Sequence, residues 1–82
     1  VYPNPASKTA NLVYTLNAKA DVSVKLIDIT GRTMFKQDLG TQLKGEHLFN
    51  FSVESNNLKN GIYFYSIITN EQTLTGRLMI KK

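Results

Sequence analysis

The chain has 82 residues, 41% of them hydrophobic, with no cysteine and a formal net charge of +4. That length suits one domain that buries roughly 60–65% of the surface its unfolded form exposes, and without thiols it has neither disulfides nor thiolate metal sites. No apolar run approaches the ~20 residues of a membrane-spanning helix, and the basic residues are scattered from Lys8 to Lys59 with one cluster at Lys81-Lys82, a solvated basic surface rather than a nucleic-acid stripe.

The chain opens on Val1 with no charged-then-apolar leader, as a processed protein or a piece of a longer one would. Val1-Tyr2-Pro3-Asn4-Pro5 cannot be helical, because two prolines fix φ and bias the residues before them toward extended conformations. It reads as a short edge strand or lead-in arm, and Ala6 to Ala10 as polar loop. Leu12, Tyr14 and Leu16 then alternate with Val13 and Thr15, the period of a half-buried strand. Asn17 to Asp21 is a turn, the one place where a short helical turn fits. Val22, Val24 and Leu26 alternate with Ser23 and Lys25, and that strand runs on to Ile29. The Thr30-Gly31 pair signals a hairpin, within which Asp28 is suited to accept backbone N–H bonds. The return strand, Arg32 to Asp38, alternates weakly and carries charge, which suits a sheet edge.

Leu39 to Gly45 reads as a loop bounded by glycines. Beyond it His47, Phe49, Phe51 and Val53 share one strand face, against Leu48, Asn50 and Ser52 on the other. Glu54 to Asn57 is turn-prone, and Leu58 plugs the core from that loop. Asn60-Gly61 supplies a positive-φ turn, and Tyr63 follows two residues later. In immunoglobulin-like sandwiches a tyrosine at such a corner bonds its hydroxyl back to the upstream backbone. Ile62 to Thr69 is largely apolar on both faces, as a central strand is. After a tight connection, Leu74, Leu78 and Ile80 mark the inner face of the last strand. About seven short strands at this turn spacing predict an all-β, immunoglobulin-like antiparallel β-sandwich, ahead of a small β-barrel. The whole reads as one domain, with a Pro-containing lead-in arm over 1–10 and the sandwich over 11–82.

Catalytic chemistry finds no foothold. His47 is the only histidine, with Glu46 as its nearest acid, so it cannot build a tetrahedral zinc site locally; it reads as a core or rim residue. A Ser-His-Asp set drawn from any serine with Asp28 or Asp38 lacks a nucleophile elbow. The six acidic residues are scattered over turns and strand ends rather than paired for acid–base work. The glycines Gly31, Gly40, Gly45, Gly61 and Gly76 are spaced as turn and strand residues, not as a phosphate loop. Asn50-Phe51-Ser52 fits a glycosylation acceptor, a three-residue pattern common by chance. Tyr63 and Tyr65 near lysines mimic an aromatic platform for single-stranded nucleic acid, but the corner explains Tyr63. No enzyme, cofactor, metal site or nucleic-acid partner is expected.

Four short motifs stand in order: Tyr2-Pro3-Asn4-Pro5, Asp28-Ile29-Thr30-Gly31-Arg32, Leu58-Lys59-Asn60-Gly61-Ile62-Tyr63-Phe64, and the terminal Leu78-Met79-Ile80-Lys81-Lys82. Each alone is weak. Together, in this order and spacing, they resemble the type A C-terminal sorting domain of the type IX (Por) secretion system of Bacteroidota, over essentially the whole chain. The resemblance implies a non-catalytic address tag for a cargo protein that precedes it in the same chain. It implies passage of that cargo through the periplasm, then recognition by an outer-membrane translocon and its shuttle protein. It further implies that a sortase-like cysteine peptidase commonly removes the tag and joins the cargo to an anionic lipopolysaccharide, leaving it on the cell surface or secreted. The cut would fall just upstream of Val1 or within the lead-in arm.

By the same resemblance, recognition falls to Leu78, Met79, Ile80, Lys81 and Lys82, since a free terminal strand can enter a groove or add to a sheet edge. Tyr2, Pro3, Asn4, Pro5, Gly31, Leu58, Gly61 and Tyr63 are structural, and Asp28 with Arg32 forms an exposed turn pair of small energetic weight. The rival reading is an immunoglobulin-like or fibronectin-like accessory module that binds carbohydrate or acts as a spacer. Such a module tolerates loss of Lys81-Lys82. A long apolar edge also leaves room for pairing with a neighbour.

Overall fold

The structure, a computed structural model, describes residues 7–82; the Tyr2-Pro3-Asn4-Pro5 motif lies outside them. Six strands follow one another: β1 (Thr9–Leu16), β2 (Ala20–Asp28), β3 (Thr33–Gln42), β4 (Gly45–Ser52), β5 (Gly61–Ile68) and β6 (Thr73–Ile80). They form two antiparallel sheets, β1-β4 and β3-β2-β5-β6. Two separate sheets decide for a sandwich over a closed barrel. β1 beside β4, and β2, β5 and β6 side by side, correspond to the B–E and C–F–G pairings of immunoglobulin sandwiches, with β3 flanking β2 as C′ flanks C. The further segment that brings the expected count to about seven is Val1 to Pro5, outside the described residues.

The core follows from alternation. β1 buries Ala10, Leu12, Tyr14 and Leu16; β2 buries Val22, Val24 and Leu26; β6 buries Leu78 and Ile80. These meet Phe51 of β4 and Tyr63 and Ile67 of β5 between the sheets. Phe35 of β3 reaches across to Phe51, edge to face at 4.9 Å. Val53 and Leu58 are fully buried from the β4–β5 connection, which closes on itself through Leu58 N–H to Val53 O. Burying a leucine this completely stabilises the fold by about 1.5–3 kcal/mol. The Tyr14 hydroxyl donates to Gln42 Oε1, tying β1 to β3.

Three boundaries differ from expectation. β1 begins at Thr9, so Thr9 and the fully buried Ala10 belong to the sandwich rather than to the arm. Asn17 to Lys19 holds no helical turn, and β2 starts directly at Ala20. β3 continues through the anticipated loop to Gln42, leaving only Leu43 and Lys44 between β3 and β4. The cause is a bulge: the register shifts between Val22 and Ser23, and Gly40 sits at φ +75°. A bulge bends a strand without ending it, so a glycine that reads as a breaker is here a kink.

Candidate functional site

The predicted motif residues gather at one end of the four-stranded sheet. Asp28 pairs with Tyr63, and Tyr63 with Leu78, across three neighbouring strands. Leu58 packs in the same core group as Tyr63, Leu78 and Ile80. Three devices hold this end together.

The first is the hairpin. Gly31 N–H donates to Asp28 O at 3.0 Å and Asp28 N–H to Arg32 O at 2.9 Å, with Gly31 at φ +94°, the geometry of a three-residue loop that requires a left-handed glycine. Asp28 Oδ1 accepts from the Thr30 hydroxyl at 2.6 Å, from Thr30 N–H at 2.9 Å and from Arg32 N–H at 3.0 Å. Its Oδ2 accepts from Arg32 Nε at 3.0 Å. These bonds, the Thr30 hydroxyl foremost, hold the Asp28 carboxyl well below the usual carboxylate range, against a smaller opposing effect of desolvation. The Arg32 side chain is 77% exposed, so the ion pair adds little by itself. Asp28 acts as the turn's acceptor.

The second is the corner. Gly61 opens β5 at φ +152°, and the Tyr63 hydroxyl donates to Lys59 O at 2.8 Å. The third ties the corner to the chain's last residues: Asn60 Oδ1 accepts the backbone N–H of Lys82 at 2.9 Å.

β6 is therefore not a free terminal strand. All eight of its residues pair with β5, from Ile68↔Thr73 to Gly61↔Ile80, with no register shift. Leu78 and Ile80 are each 1% exposed, so their side chains hold the core and are closed to a receptor while β6 is in place. Met79 is 37% exposed, and Arg77, Lys81 and Lys82 are exposed.

What β6 offers is its second edge, which no described strand covers. Thr69 N–H donates to Gln72 O at 2.9 Å, making that a hydrogen-bonded pair. Antiparallel ladders alternate between hydrogen-bonded and non-hydrogen-bonded pairs. In the observed register Leu74, Gly76, Leu78 and Ile80 thus turn their backbone polar groups toward β5, whereas Thr73, Thr75, Arg77 and Met79 turn theirs to the open edge. The inward-facing Lys82 N–H continues the same alternation. β3, the sheet's other edge, has two register shifts and carries Lys36 and Asp38, features that blunt an edge against pairing. β6 has neither a shift nor any charge except Arg77.

Sequence reasoning missed the partner of Gly76. Tyr65, directly opposite it, lays its ring across the glycine; a Cβ at position 76 would lie 2.3–2.5 Å from Tyr65 Oη, Cζ and Cε2. It also missed the Asn60–Lys82 bond. A glycine within a strand is a general sign of close approach, but nothing local names the neighbour.

Elsewhere, His47 stacks on Tyr14 at 5.6 Å between ring centroids, and its Nε2 bonds to Leu43 O at 2.6 Å. Asn50 Nδ2 donates to Asn11 Oδ1 at 2.8 Å on the outer face of the small sheet. Among the described residues no group of three or more His, Cys, Asp or Glu side chains converges to hold a metal ion, and no helix is long and apolar enough to cross a membrane.

Against known proteins, the model of one family, described as the secretion system C-terminal sorting domain, matches residues 1–81. No curated protein and no solved structure matches the chain.

Proposed function

The chain belongs to the secretion system C-terminal sorting domain family, that of type IX secretion, and we propose that its open β6 edge, with Met79, Lys81 and Lys82, is the surface the secretion machinery reads. The family is one of sorting signals, not of catalysts, and its domains direct cargo across the outer membrane toward the cell surface. The observation that carries the reading is the contrast between the two edges of one sheet. β3 is kinked and charged; β6 is regular, eight residues long, and open among the described residues. Strand addition at such an edge draws affinity from main-chain bonds that any cargo-independent tag can offer.

In this reading the outer-membrane translocon or its shuttle protein adds a strand to β6 as cargo leaves the periplasm, and the lysines at the strand's end supply charge. Removal of the tag by a sortase-like cysteine peptidase, with attachment of the cargo at the surface, fits a cut before Lys8. Lys8 O accepts Val53 N–H at 2.8 Å, so such a cut leaves every described ladder whole. The carbohydrate-binding alternative calls for an exposed aromatic platform, and among the described residues Phe64 is the one aromatic in the set of exposed large hydrophobic side chains.

The test is a reporter fused ahead of the domain in a type IX-competent cell. Deleting Met79 to Lys82 is expected to trap the fusion in the periplasm. Because that deletion also removes Ile80 from the core, the doubly substituted Lys81→Ser/Lys82→Ser chain, which leaves the core intact, is run beside it. Surface arrival of both at the wild-type level would sink the reading.

A further inference from the structure

The open edge of β6 carries side-chain chemistry as well as backbone. The inner face of the strand holds Leu78 and Ile80, so Thr73, Thr75, Arg77 and Met79 line the outer surface, and these are also the residues whose N–H and C=O groups face the edge. On that surface Phe64 stands directly opposite Arg77, and Ile62 opposite Met79; Phe64 is 38% and Met79 37% exposed. Arg77 is the one ionised side chain of β6. Among the described residues the sole ion pair is Arg32–Asp28, which leaves the Arg77 guanidinium without a carboxylate. The ionised side chains on the rest of this face are Lys25 and Lys36 against Asp21 and Asp38, all on β2 and β3 and separated from Arg77 by β5.

A strand joining β6 antiparallel makes its hydrogen-bonded pairs with those same four residues, placing facing side chains on one surface with Cα atoms about 5.5 Å apart. We propose that β6 takes an extended, antiparallel segment of a protein partner bearing an acidic side chain opposite Arg77 and an apolar side chain two residues away, opposite Met79. This rests on the strand-addition reading above and adds to it the chemistry of the partner. The carboxylate meets a guanidinium on the strand position that faces Phe64 on its β5 side, and the two ionised groups make a charge-assisted hydrogen bond. The apolar side chain extends the Ile62–Met79 row. A lysine opposite Arg77 is rejected by like charge, so the position selects among strands that the backbone alone would accept.

The experiment scores surface arrival of a fused reporter for three variants, with the melting temperature of each purified 82-residue chain. Thr75→Pro removes an edge-facing N–H while leaving the β5 ladder whole; should it not fold, Thr73→Pro at the strand's first residue replaces it. Thr75→Pro and Arg77→Glu are expected to lower arrival about tenfold without a shift in melting, and Arg77→Lys to stay within about threefold of wild type. Wild-type arrival of Arg77→Glu beside a blocked Thr75→Pro overturns the acidic partner while strand addition stands. Equal losses for Arg77→Lys and Arg77→Glu overturn charge complementarity. Normal arrival of all three overturns the edge reading itself.

Discussion

Replacing Gly76 with alanine should destabilise the domain, although alanine normally gains about 0.5–1 kcal/mol over glycine in a strand interior. The added methyl would meet Tyr65 Oη, Cζ and Cε2 at 2.3, 2.4 and 2.5 Å, where carbon atoms in good contact sit about 3.5–4.0 Å apart. Relief requires the ring to move by more than about 1 Å. Tyr65 packs against both groups of core residues, so the ring cannot swing without loosening contacts on either side. Overpacking of this kind costs typically 1–3 kcal/mol, which exceeds the propensity gain. A net loss of about 1–2 kcal/mol corresponds to a melting drop of roughly 5–15 °C in a domain of this size. Thermal and urea unfolding followed by circular dichroism give the number. The double-mutant cycle with Tyr65→Ala isolates the cause: in the Tyr65→Ala background, Gly76→Ala should be neutral or mildly stabilising, a coupling of at least about 1 kcal/mol. If Gly76→Ala costs the same with and without the ring, the steric account is wrong.

Tyr63→Phe removes the donor to Lys59 O and leaves that carbonyl without its partner, at a cost of about 1–2 kcal/mol by equilibrium denaturation; an unchanged midpoint would remove the hydroxyl from the fold's supports. The Asp28 carboxyl titrates below its unfolded range, so its stabilisation is complete above about pH 4 and is lost as pH falls further, through the lowered native value. The wild-type melting temperature should accordingly fall more steeply than that of Asp28→Asn between about pH 4 and pH 2. Parallel curves would show that the turn bonds do not discriminate the charged form.

Much of the fold was legible because the relevant signals are local. The alternation of Leu12, Tyr14 and Leu16, the αL demand at Gly31 after Thr30, and the spacing of Asn60-Gly61 to Tyr63 each lie within a few residues. Each corresponds to a described element: β1, the β2–β3 hairpin, and the corner whose hydroxyl reaches Lys59 O at 2.8 Å. The weak pattern of Arg32 to Asp38 likewise marked a sheet edge, where β3 lies. Gly40 misled because a glycine in a bulge and a glycine in a loop look alike until the partner strand is known.

For the site, membership of a sorting-signal family was readable from four ordered motifs, each too short to carry it alone. Where the chain's terminal segment is held, and by what, was not. Leu78 to Lys82 reads in sequence as one continuous signal, yet its residues divide by face: Leu78 and Ile80 are in the core, while Met79, Lys81 and Lys82 are outside. Period-two alternation announces such a division, but which backbone groups remain unpaired depends on the phase of the ladder, set by the Thr69–Gln72 bond and the β5 register. Likewise the need for glycine at 76 comes from Tyr65, eleven positions earlier in the chain and directly opposite in the sheet. Local turn chemistry and alternation thus determined by sequence alone that this is a two-sheeted β domain with a tyrosine corner. Only the tertiary structure decided which edge the described strands leave open and which side chains β6 presents there, because pairing partners are chosen by contacts between residues far apart in the chain.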